Sequence, residues 1–316
     1  MEPIFLNMGN EMTCVIANQK KPSSVEAGLA FRYAYDKAKV WKSWIWALAL
    51  ILAVVQTGVS IYIFSGQKVP FDPAYLTAAP LLAFVLINTL GKYFVSKWQS
   101  LGCTLQRLHD FLTMDVGTKP SFMELPKSLV AQLSAKQEKQ SPEDRRVLET
   151  WWSSNLVEVP NPVAKLIATY STFAWESELR KRYQYMLWAC LGFCVFAPVL
   201  ISMVLGHTIM QFVVFVLGPF TPIIAVMIDE LLMNKQSSEI AHQLTHDCYN
   251  TWTNLLANKI NLGELEHSTE QHMRYWQNFR QSATPIFEWL YKISRKRMEN
   301  NMLVNTNELI VEYNKR

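Results

Sequence analysis

Three stretches of this chain carry no side chain that is ionised at neutral pH. They lie between Lys42 and Lys68, between Asp72 and Lys92, and between Arg182 and Asp229. A helix rises about 1.5 Å per residue and the hydrocarbon core of a bilayer is about 30 Å thick, so the first two gaps fit one crossing each and the third fits two. The pattern predicts four membrane-spanning helices, at residues 44–64, 74–91, 185–205 and 209–228. Gly66 to Pro73 would join the first pair, and Gly206-His207-Thr208 the second.

Outside these gaps the apolar positions keep a helical period. Phe94, Trp98, Leu101, Leu105, Leu108 and Leu112 alternate spacings of four and three, which is the pattern of a coiled-coil seam. The stripe can pack within its own subunit or between subunits. No proline falls between Leu81 and Lys119, so the second span is expected to continue into a long stalk. Prolines at 120, 126, 142, 160 and 162 divide the next stretch into loops and short helices, one of them starting at Ser141-Pro142. Asn161-Pro162 opens a helix that meets no breaker before Gly192 and Pro198, so the third span should be the far end of that helix. From Asp229 a helix runs to Asn261-Leu262-Gly263, read as a C-terminal stop; a second leads to Thr284-Pro285, and a third covers about 286–311. No strand-like alternation is sustained. The expected class is all-α: a polytopic membrane protein with four transmembrane helices and a helical cytoplasmic domain. Its expected parts are an N-terminal helix (1–43), a first hairpin (44–91), a helical region (92–184), a second hairpin (185–228) and a C-terminal helical region (229–316).

Composition supports that division. Half of the 316 residues are hydrophobic, 18% are charged, and mean hydropathy is slightly positive at +0.05. These values disfavour a soluble enzyme, a disulfide-stapled secreted domain and a disordered chain. Of the 30 Lys and Arg residues, all but Lys68 fall on one side of the predicted membrane, which places both termini and the central segment in the cytoplasm. The first apolar run lies too far from Met1 for a cleavable leader and is read as a retained anchor. The five cysteines show no CxxC spacing, and no disulfide is expected.

Catalytic constellations are missing: there is no Walker loop, GxGxxG or GxSxG. His242 and His246 stand at i and i+4 beside Cys248, but Gln243 occupies the place where a zinc protease needs glutamate. They are read as solvated or packed helix histidines, so neither a catalytic residue nor a metal ligand is assigned. Within the spans, Gln56, Ser60 and Asn88 either bond between helices or face a wet lumen. Pro219 is a candidate hinge, and Asp229 beside Glu230 is either a charged helix exit or part of a carboxylate ring at a pore mouth. Aromatic and basic residues cluster around Trp175 and Arg180, around Trp276 and Arg280, and around Tyr291 and Arg295. Planar rings and guanidinium forks suit a nucleotide, and they suit helix packing equally well.

The order of these motifs carries a resemblance. The helix Arg32-Tyr33-Ala34-Tyr35-Asp36-Lys37-Ala38-Lys39-Val40-Trp41 stands before the first span, Leu105-Gln106-Arg107-Leu108-His109-Asp110-Phe111-Leu112 after the second, and Trp175-Glu176-x-x-Leu179-Arg180 before the third. With Trp276-Gln277-Asn278-Phe279-Arg280 and the closing Pro285-x-x-x-Trp289-x-Tyr291-x-x-x-Arg295-x-x-x-Glu299, the chain resembles the four-span effectors encoded beside SMODS-type (CD-NTase) cyclic-nucleotide synthases. The stretch Leu112-Thr113-Met114-Asp115 departs from that pattern. The resemblance implies a role in CBASS antiphage defence, in the bacterial inner membrane. A cyclic di- or trinucleotide from a cognate synthase would open a homo-oligomeric pore, expected as a tetramer, with no cofactor and no DNA or RNA polymer as partner. Arg180, Arg280, Tyr291 and Arg295 match the family's motifs, and together with Trp175 and Trp276 we expect them to contact the ligand; Gln56, Ser60, Asn88, Pro219 and Asp229 are the pore or gate candidates. The rival reading is a membrane-anchored scaffold that recruits a partner and never conducts.

Overall fold

A computed structural model describes residues 14–64 and 74–316 of the chain. Among the described residues there are helices and no strand. They run α1 (Cys14–Gln19), α2 (Pro22–Phe64), α3 (Ala74–Met114), α4 (Lys127–Gln140), α5 (Glu143–Glu149), a 3-10 turn (Ser154–Glu158), α6 (Asn161–Val204), α7 (Ile209–Phe212), a π-helical segment (Val213–Leu217), α8 (Gly218–Leu256), α9 (Leu262–Ser282) and α10 (Glu288–Asn314).

Four of these are far longer than a bilayer requires, because the apolar segments run on into polar helix with nothing to stop them. The expected boundaries at 43/44, 91/92, 184/185 and 228/229 all fall inside continuous helices. Helices α2 and α3 lie antiparallel. Trp41 stacks on Phe94 at 4.6 Å, the Gln106 side-chain amide donates to Tyr35 Oη at 3.0 Å, and Ser24 Oγ donates to the carbonyl of Leu112 at 3.3 Å. Gly91 is required at the tightest approach, since a Cβ there would lie 2.6 Å from the Ile45 side chain. Helices α6 and α8 form a second antiparallel pair, matched at Arg180 with Asn234 and at Tyr170 with Tyr249.

The apolar halves of these helices leave large side chains uncovered. Val54 is 58% exposed, Leu82 63%, Phe193 72% and Val204 86%. Large exposed apolar surfaces of this kind mark contact with lipid or with another protein chain. Helices Pro22–Ile63 and Asn161–Val204 are each long and apolar enough to cross a membrane. The apolar part of α3 begins beside undescribed residues, and the fourth apolar segment is divided by the π segment. Exposed aromatic side chains mark the water–lipid boundary near Lys42: Trp44, Tyr93, Tyr185, Trp188 and Trp289.

The polar halves build a helical body around several apolar cores, of which two lie beside α6. One gathers Met114, Phe173, Trp252, Trp276 and Phe279 between α3, α6, α8 and α9; the other gathers Trp175, Leu179, Tyr183, Leu187 and Phe287. The stripe on α3 faces its own chain: Leu105, with Trp98, Leu101 and Leu108, packs on Ala30, Tyr33 and Ala34 of α2 and on Val130 and Leu133 of α4. The packing decides for the intrasubunit alternative. One reading is corrected. Helix α8 stops at Asn258, whose φ of 55° takes the left-handed closing position, with Lys259 N–H bonded to the Asn254 carbonyl at 3.0 Å. Asn261 is a start, not a stop: its side chain accepts from Gly263 N–H and Glu264 N–H, and Glu264 reaches back in a capping box. The Gly206 turn falls where expected, at φ 67°.

Candidate functional site

Helix α9 ends at Ser282 because Pro285 disfavours a helical residue before it and supplies no N–H. The connection to α10 therefore holds carbonyls at Ala283, Thr284 and Pro285 that no helix satisfies. Each is met by a side chain from a different membrane-directed helix. Gln99 of α3 donates to the Ala283 carbonyl, Arg180 of α6 to the Thr284 carbonyl at 3.4 Å, and Lys42 of α2 to the Pro285 carbonyl. The fourth helix, α8, joins through Glu230, whose Oε1 accepts from Thr284 Oγ1 at 2.7 Å. One short connection is thus tied to all four long helices at the level where they enter the apolar region.

Lys42 and Glu230 are the centre of this joint. Their ion pair measures 2.6 Å, with side chains only 5% and 10% exposed. The ammonium also donates to Tyr183 Oη at 3.0 Å and lies 4.8 Å from the centre of the Phe287 ring. Burial lowers the Lys42 pKa from its ordinary value, against the opposing pull of Glu230. Burial, then the Glu230 charge, holds the Tyr183 hydroxyl well above the ordinary tyrosine range. Asp229, the neighbour the sequence singled out, behaves differently: it is exposed and pairs with Lys92 at 2.7 Å.

The six candidate ligand residues fall into two groups. Arg180, Trp276 and Arg280 stand around the joint and its approach. Arg180 pairs with Glu176 at 2.6 Å, and its guanidinium lies over the Phe279 ring. Arg280 pairs with Asp110 at 2.6 Å and covers Trp276, which is 1% exposed and packed on Phe173 at 4.6 Å. Trp175, Tyr291 and Arg295 make the second group: Trp175 meets Trp151 at 5.3 Å and Tyr291 at 6.3 Å. Arg295 pairs with Glu299 at 2.6 Å and opens onto a cavity of about 280 Å³, shared with Arg146, Thr150, Trp151 and Met302.

Of the pore candidates, Gln56, Ser60 and Pro219 are buried inside the bundle, and Asn88 is half-buried one turn inside the boundary. His242 and His246 are exposed on a face of α8 opposite the buried Cys248. Among the described residues no group of three His, Cys, Asp or Glu side chains could hold a metal. Lys42, Gln99 and Asn234 were not singled out from the sequence, and of the Asp229–Glu230 pair the sequence put Asp229 forward. Two signals were available: Lys42 is the last charge before the first span, and Glu230 lies one residue further from the fourth span than Asp229, on another face of the helix.

A match to the family described as the SMODS-associating 4TM effector domain covers residues 13–309. The chain belongs to that family. It is therefore a four-span membrane effector associated with SMODS synthases. A search of curated proteins and of solved structures returns no match.

Proposed function

We propose that this SMODS-associated effector is a channel of the bacterial inner membrane, opened by a cyclic oligonucleotide during phage infection, with its body and both termini in the cytoplasm. The observation that carries the reading is the α9–α10 connection, bonded to every spanning helix. A ligand that shifts α9 or α10 acts on all four spans together, and it moves the equilibrium by its differential affinity for the open arrangement. The Arg295 cavity is a fitting seat: Arg146 and Arg295 supply guanidinium groups for phosphate, and Trp151 a ring for stacking. At about 280 Å³ it falls just below the usual lower end of ligand pockets, about 300 Å³, so a cyclic di- or trinucleotide must widen it and displace α10 from α5. In this reading Trp175, Tyr291 and Arg295 respond first, and Arg180, Trp276 and Arg280 pass the shift to the joint. Copies of the chain assemble as a homo-oligomer, with a tetramer expected, and no catalytic step is involved.

The test is dye and ion leakage from liposomes holding the purified full chain, with and without a panel of cyclic di- and trinucleotides. Leakage with one member, weakened at least tenfold in apparent affinity by Arg295→Ala, is the expected result. Silence with every member, in protein shown to be folded and inserted, would sink the channel reading and leave the membrane-anchored scaffold.

A further inference from the structure

Inside the subunit, the inward face of α2 changes character with depth. Ala49 and Ala53 are buried first; Gln56, Thr57 and Ser60 follow, exposed by only 8%, 8% and 9%. At about 1.5 Å per residue from the Lys42–Tyr183–Glu230 level, these three lie roughly 20–27 Å into the spanning region. Pro198 of α6 and the π segment fall at roughly the same depth by the same measure, and α2 and α6 both pack against the π segment.

The prolines remove backbone donors in this layer. Pro198, Pro219 and Pro222 have no N–H, so the carbonyls four residues back, at Cys194, Phe215 and Gly218, lose their ordinary donors. The π turn diverts Gly218 N–H to the Val213 carbonyl. Thr57 supplies an independent sign. Thr89 and Thr221 return their hydroxyls to carbonyls of their own helices, at 2.8 and 3.0 Å. The Thr57 hydroxyl is buried and has no partner. Carbonyls without their helical donors and an unpartnered hydroxyl persist at bilayer depth only where other protein groups or water meet them.

We propose that Gln56, Thr57 and Ser60, with the carbonyls freed around Pro198 and Pro219, form a hydrated site for a monovalent cation inside each subunit. Its ligands are neutral oxygens without a carboxylate, which suits a partly hydrated monovalent ion and not a divalent one. The conducting path then runs through the four-helix unit and not only between copies. For conduction the proposal rests on the channel reading; for hydration it does not.

The experiment reads the two separately. In liposomes, with and without the cyclic nucleotide panel, variants T57C, S60C and V54C are treated with a cationic methanethiosulfonate, against the wild-type cysteine background. Val54 lies 58% exposed on the lipid face of α2 and is the control. T57C and S60C should react at least tenfold faster than V54C. Equal or slower reaction of both, under every condition, overturns the site. Potassium flux through Thr57→Val should fall several-fold with nucleotide binding unchanged, and an unchanged flux places the path elsewhere. Fast labelling in a protein that never conducts removes the channel reading and leaves the hydrated site standing.

Discussion

Replacing Lys42 with methionine keeps the side chain's length and deletes its charge, which leaves the Glu230 carboxyl group without its counter-charge in a site where it is only 10% exposed. Thr284 Oγ1 remains as a donor to that carboxylate, at 2.7 Å, but no cation does. Removing one partner of a buried pair costs about 3–5 kcal/mol, and leaving the Pro285 carbonyl without its donor costs about 1–3 kcal/mol more. At roughly 2–4 °C per kcal/mol, Lys42→Met should lower the melting temperature in detergent by roughly 10 °C or more. Glu230→Leu should cost about 3–5 kcal/mol by leaving the buried ammonium without its counter-charge. The double variant removes both charges and should be more stable than either single, with a coupling of about 2 kcal/mol or more in a double-mutant cycle. Circular dichroism melts of the four proteins, each checked for monodispersity, give the cycle. Single variants within about 2 °C of wild type, or a double variant whose loss is the sum of the singles, would refute the argument that this pair holds the joint together.

Three further outcomes are expected. Gly91→Ala should destabilise the α2–α3 hairpin by about 1–3 kcal/mol, read as a lowered melting temperature, because its Cβ would meet Ile45; Ile45→Ala in the same chain should restore much of the loss. Burial lowers the pKa of His109 from 6.5, so between its folded value and 6.5 the unfolded chain binds more protons and stability rises with pH. Acidification through that window should therefore lower the melting temperature, and His109→Asn should flatten the dependence over that range. Asn258→Val should cost about 1–2 kcal/mol in a thermal melt, since φ is 55° there, whereas Asn258→Gly should be close to neutral.

Signals that act within a few residues were legible in advance. The charge gaps give the apolar stretches of the long helices, Gly206 gives the turn after α6, and Asn161-Pro162 gives the start of α6. Asn261 shows how a local signal can be taken in the wrong sense. Followed by a glycine it looks like an ending, but Glu264 three residues on makes it a beginning. The α3 stripe was legible as a stripe, while its partner was not. What covers Leu105 is Ala30, Tyr33 and Ala34, some seventy residues earlier in the chain, together with a short helix after a proline-rich loop.

By itself the sequence determined the helix order, the four apolar crossings and the inventory of rings and cations, because hydrophobic gaps and helix breakers act locally. Only the tertiary structure decided which polar groups meet. Asp229 and Glu230 are neighbours in the chain, yet one pairs with Lys92 at the surface and the other with Lys42 inside. A step of one residue turns a helical side chain by about 100°, so packing alone chooses which of the two carboxylates enters the joint. The joint has the same origin. A break at Pro285 exposes three carbonyls, and the donors that answer them lie 104, 184 and 243 residues away in the chain and are brought to them only by the packing of the four long helices.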